Sequence, residues 1–96
     1  MYARVTTMHG DPSRTEESRK LVGEIMPEIK QVPGLQFFLA TSDEESGEAV
    51  AIAIYDTKES ADAAASTARD LVAGFAEFFT KAPEVAGYDV DQFWVR

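Results

Sequence analysis

Few side chains in this 96-residue chain are equipped for chemistry, and three stand where they could use it. His9 is the only histidine. An imidazole titrates near neutrality, so it is the natural general base, but a base needs partners within reach. His9 stands at the end of a strand-like run, beside Gly10-Asp11-Pro12, where an exposed loop position is the plainer reading. Tyr55 closes an apolar run. Its hydroxyl can hydrogen-bond a phenol or quinone oxygen in a pocket, or it can be a strand-end aromatic with its hydroxyl in water. Arg4 lies in mid-strand. It can hold a carboxylate or phenolate, or pair with Asp89 or Asp91 if the first and last strands are neighbours. No second histidine and no cysteine is present, so a transition-metal centre would need carboxylates such as Asp11, and no metal is expected. Asp43-Glu44-Glu45 reads as a solvated turn. Glycine-rich phosphate loops, EF-hand spacing and the G-x-S-x-G nucleophile motif are absent.

A flat aromatic ligand would need apolar walls. Phe38, Ala51, Ala53, Ala64, Phe75 and Trp94 are the residues expected to line such a pocket. The alanines carry a specific question. Ala61, Ala64, Ala65 and Ala68 share a helical face, and Ala51 and Ala53 share a strand face. Where those faces meet, either the backbones close in or a cavity remains.

The elements that must position these residues follow from pattern. Tyr2 to Met8 reads as a strand. Asp11 or Ser13 can cap a helix from about Ser13 to Gln31, and Ser13 and Glu16 have capping-box spacing. Leu21, Val22, Ile25, Met26, Ile29 and Val32 form its apolar stripe. Pro27 should bend this helix without ending it, because the stripe continues past it. Pro33-Gly34 is the stop. Leu35–Ser42 and Glu48–Tyr55 read as a hairpin apolar on both faces, which wants cover on both sides. A second helix starts at Asp56, with Glu59 at capping-box spacing, and Gly74 divides it. Pro83 and Gly87 bracket its exit, and Tyr88–Arg96 is the expected last strand.

This β-α-β-β-α-β order predicts a single α+β domain over 1–96: a ferredoxin-like four-stranded antiparallel sheet with both helices on one face. The opposite face is apolar too. A second copy packed sheet to sheet covers it most simply, so a homodimer is expected.

Composition narrows the partners. A net charge of -8, with nine Lys and Arg against seventeen Asp and Glu, argues against nucleic acid and anionic membranes. The longest apolar run, Ala49 to Tyr55, is too short to span a bilayer. Cysteine is absent, which excludes disulfides and thiolate sites. The opening Met1-Tyr2-Ala3-Arg4 is strand-patterned and unlike a signal peptide, so a cytoplasmic location is expected.

Arg4-Val5-Thr6, Gly10, Pro27, Val32-Pro33-Gly34-Leu35, Glu45-Ser46-Gly47 and Ile52-Ala53-Ile54-Tyr55-Asp56-Thr57-Lys58-Glu59 together resemble the antibiotic biosynthesis monooxygenase family across nearly the whole chain. The resemblance implies a dimeric α+β barrel of ferredoxin-like subunits. Many members carry Trp-Glu-Ser where this chain has Tyr55-Asp56-Thr57. Characterised members include cofactor-free oxygenases of aromatic polyketides and haem-degrading enzymes. The haem-degrading branch uses an Asn on the first strand and a Trp and a His on the second helix. Ala3, Ala64 and Gly74 align with them, so the resemblance argues against haem degradation. It leaves two expectations: an oxidoreductase, namely a cofactor-independent monooxygenase acting on a small aromatic or quinol, or a non-catalytic dimeric module that binds a small hydrophobic aromatic or is purely structural.

Overall fold

The computed structural model describes residues 1–96. Strand β1 (Tyr2–Gly10) leads through a short 3-10 turn, Pro12–Arg14, into α1 (Thr15–Ile29). The hairpin strands β2 (Leu35–Ser42) and β3 (Glu48–Tyr55) follow. Two helices, α2 (Lys58–Ala63) and α3 (Ala65–Ala73), and a second 3-10 turn, Ala76–Phe78, lead to β4 (Phe79–Asp89). The sheet order is β2-β3-β1-β4, and every neighbouring pair is antiparallel. This is the ferredoxin-like arrangement with its second helix in two pieces. No helix is long and apolar enough to cross a membrane.

Local chemistry explains the boundaries. Asp11 caps the first turn, its carboxylate accepting from the Ser13 amide at 2.9 Å and the Ser13 hydroxyl at 2.7 Å. Pro12 then occupies an early position where its missing N–H costs nothing. Pro27 lies within α1, and the helix continues two residues beyond it. The Glu45-Ser46-Gly47 turn works because Gly47 has φ +77. The Gly47 carbonyl accepts from the Gly10 amide at 2.9 Å, so this turn is tied to the end of β1.

Three expectations need correction. The second helix is capped by Thr57, one residue after Asp56, through a 3.0 Å bond from the Ser60 amide. It divides at Ala64, which ends α2 and begins α3; Gly74 ends α3 instead. The largest correction is the last strand, which is Phe79–Asp89 and not Tyr88–Arg96. Pro83 falls inside it. An edge strand tolerates proline because one row of its backbone donors has no partner to lose. Thr7 pairs with Glu84 and His9 with Lys81, so one residue of β1 faces two of β4 at a bulge beside Pro83. Gly87 is required by Tyr2: a Cβ there would stand 2.1 Å from the Tyr2 hydroxyl.

Alternation then sorts the two faces of the sheet. Arg4, Thr6 and Met8 of β1, Phe38 of β2, and Ala51, Ala53 and Tyr55 of β3 face the helices. Val5, Phe37, Leu39 and Ile52 fall on the outer face, which no helix covers. After β4 the chain leaves the sheet. The Val90 amide donates to the Met1 carbonyl at 3.1 Å, and Phe93 packs edge-on against Phe37 with centroids 5.4 Å apart. Only eight of the 96 residues are buried, and none of the large side chains is completely enclosed. The core is thin because one sheet face carries no helix, only the Phe93 contact at one end, and the other bounds a cavity.

Candidate functional site

Between the sheet and the helices lies a cavity of about 390 Å³. That is within the range of roughly 300–1,000 Å³ typical of small-molecule clefts. Small residues line much of it, among them Ala51 and Ala53 of β3 and Ala64 and Ala68 of the helices; at one end Ala53 packs against the buried cluster of Tyr55, Ala61 and Ala64. Val22, Ile25 and Ile29 of α1 form one apolar wall, and Leu71, Val72 and Phe75 form another. Phe78 closes the base, with the Arg14 guanidinium stacked 4.5 Å from its ring centre.

The polar groups concentrate on β1 and at the end of β3. The Arg4 guanidinium donates to the Ala61 carbonyl at 3.1 Å and lies 5.9 Å from the centre of the Tyr55 ring. Tyr55 is only 3% exposed and belongs to the buried cluster with Ala61 and Ala64. Its hydroxyl is therefore not a solvated strand-end group. Burial pushes the phenol above its ordinary value of 10.0, and the charge and hydrogen bonding of Arg4 oppose that rise. The group is a neutral hydrogen-bond donor across the physiological range. Thr6, 7% exposed, adds a hydroxyl to the same wall. Towards the hairpin, Arg19 of α1 bridges to β2: its Nε donates to Ser42 Oγ at 2.9 Å and its Nη1 pairs with Glu44 and Glu16.

The structure therefore brings Arg4 and Tyr55 together and separates His9 from both. His9 is on the outer face, with Nδ1 3.8 Å from Glu48 and Nε2 3.6 Å from Glu84. It does not line the cavity, and it is a half-buried strand residue rather than an exposed loop residue. Arg4 does not pair with Asp89 or Asp91, although β1 and β4 are neighbours; its guanidinium donates to the Ala61 carbonyl of α2 instead. Phe38, Ala51, Ala53, Ala64 and Phe75 all line the cavity. Trp94 does not: it is 74% exposed in the segment after β4, where Arg96 stacks on it at 5.3 Å. Ala3, aligned with the first-strand Asn of the haem-degrading branch, falls on the outer face, and its neighbour Arg4 faces the cavity. Thr6 and Arg19 are among the cavity residues that the sequence reading did not single out. Thr6 was reachable by stepping two residues on from Arg4. Arg19 was not, since its role depends on how α1 crosses the hairpin. No group of three His, Asp or Glu side chains is placed to hold a metal ion.

Comparison with known proteins supports the architecture. No family model matches the chain. No curated protein matches it either. Solved structures do. A crystal structure of an antibiotic biosynthesis monooxygenase superposes with a TM-score of 0.77 at 17% identity, over 96% of this chain and 100% of that one. The Rv0793 protein of Mycobacterium tuberculosis gives 0.73 at 17% identity, over 95% and 96%. A Nitrosomonas europaea protein of unknown function gives 0.82 at 12% identity, over 99% and 93%. At these identities the likeness establishes the fold: the chain shares the ferredoxin-like fold of these three structures, one of them named antibiotic biosynthesis monooxygenase.

Proposed function

We propose that this protein is a cofactor-independent monooxygenase of a small aromatic or quinol, with its site in the cavity between sheet and helices. The observation that carries the reading is one apolar cavity of about 390 Å³ with Arg4 and Tyr55 grouped in its wall. An electron-rich quinol binds there by burial of its rings. The Tyr55 hydroxyl and the Arg4 guanidinium favour its anion by charge-assisted hydrogen bonding, and the anion itself reduces O2: one oxygen atom replaces two hydrogens at the reacting carbon, and the other leaves with them as water. The protein's share is binding, orientation and exclusion of water. Oxygen uptake measured with a panel of hydroxynaphthalenes and hydroquinones tests this. Turnover that drops in Tyr55→Phe supports the reading; no turnover across the panel, or turnover indifferent to Tyr55→Phe, removes it.

A second reading is a binding module without catalysis. A specific observation favours it: the only histidine lies across the sheet, and the phenol at the cavity stays protonated at neutral pH, so the cavity holds no general base. Thermal stabilisation by the same aromatics without product formation is its signature.

In either case we place a second copy on the outer sheet face. Leu39 and Tyr88 are 41% and 57% exposed there, and Val5, Phe37 and Ile52 share the face. An isologous pair of such faces buries them all. A chain without cysteine has no need of an oxidising compartment, which fits the cytoplasm.

A further inference from the structure

The charges of this protein are sorted between its surface and its cavity. Seventeen acids outnumber nine Lys and Arg along the chain. Yet neither Asp nor Glu lines the cavity; its only charged residues are Arg4 and Arg19. Arg19 is answered at the cavity's edge by Glu16, Glu44 and Ser42. Arg4 is not. No carboxylate lies within 4 Å of it, and its partners in the protein are neutral: the Ala61 carbonyl and the Tyr55 hydroxyl. A guanidinium has five N–H donors in a planar fork suited to a carboxylate. A half-buried cation that borders apolar walls and has most of its donors free is costly unless something anionic meets it. The nearby Tyr55 ring supplies a weak attraction and a hydroxyl, but no countercharge.

We propose that the ligand is an aromatic carboxylic acid, with its carboxylate on Arg4 beside the Tyr55 hydroxyl and its rings against Phe38, Phe75 and Leu71. This rests on the cavity being the ligand site and adds the charge and orientation of what enters it. Arg4 is then the residue that sets specificity. In a protein of net charge -8, an anion gains nothing from the overall field, so selection for an acid has to come from this one local cation.

Isothermal titration calorimetry with three ligands of one shape tests it: 2-naphthoate, 2-naphthamide and 2-naphthol, each against the wild-type protein and Arg4→Met. The expected result is that 2-naphthoate binds the wild type more tightly than either neutral ligand by roughly tenfold to a hundredfold, the range of one charge-assisted pair. Arg4→Met should erase that preference, bringing 2-naphthoate down to the affinity of the neutral ligands. Neutral ligands that bind the wild type as well as the acid overturn the acid proposal while keeping the cavity as a ligand site. Binding of none of the three overturns both. The wild-type comparison decides the question by itself if Arg4→Met does not fold.

Discussion

The Arg4 guanidinium stands 5.9 Å from the centre of the buried Tyr55 ring and donates at 3.1 Å to the Ala61 carbonyl. One side chain thereby links the central strand β1, the end of β3 and the helix that follows it. The same contact places the cation against the phenol whose titration burial opposes.

That burial has a consequence at high pH. The folded Tyr55 phenol holds its proton more tightly than the unfolded one, whose ordinary value is 10.0. A raised value contributes stability that is fully present below pH 10.0 and is lost as pH rises through the folded value. Unfolding by urea at pH 8 and then above 10 should therefore show a fall in the wild type that is smaller in Tyr55→Phe. Equal falls in both proteins would mean that the phenol ionises freely in the fold.

Small side chains leave the cavity open, so enlarging one should fill it without strain. Ala51→Leu adds volume at a residue that lines the cavity together with Ala64 and Ala68. Its cost should stay under about 1 kcal/mol, whereas the same insertion into a filled core costs about 1–3 kcal/mol. Denaturant midpoints measure this directly, and any aromatic that stabilises the wild type should no longer stabilise the variant.

Gly87→Ala should destabilise through Tyr2 alone. The new Cβ would fall 2.1 Å from the Tyr2 hydroxyl and 2.7 Å from its ring carbon. The ring must move, at about 1–3 kcal/mol. In a Tyr2→Ala background the same change should cost much less, and a double-mutant cycle by thermal unfolding reads that coupling.

Ile52→Asp places a charge in the middle of the bare outer face, between Val5 of β1 and Leu39 of β2. Light scattering after size exclusion should show a dimer for the wild type and monomer or unfolded chain for the variant, since an unpaired charge cannot be buried between two sheets. A folded dimer of Ile52→Asp would put the interface elsewhere.

Much of the fold was legible because it depends on period. The twofold alternation of the hairpin and the 3.6-residue stripe of Leu21 to Ile29 announce a sheet and a helix wherever they occur. The last strand was misread for an equally local reason. Pro83 and Gly87 look like punctuation, and only their place on an edge strand, beside a bulge and beneath Tyr2, makes them strand residues.

By itself, then, the sequence determined the element order, the acidic surface, the lack of thiol chemistry and the two apolar sheet faces, all of which follow from residue type and spacing. Tertiary structure alone decided which face meets the helices. One step of alternation sends His9 outward and Arg4 inward, and nothing local distinguishes the two directions. Whether facing alanines close up or leave a space depends on how far the helices stand from the sheet. The pairing of β1 with β3, with Tyr2 opposite Tyr55 and Arg4 opposite Ala53, is what turns Arg4 and Tyr55 from two scattered residues into one site.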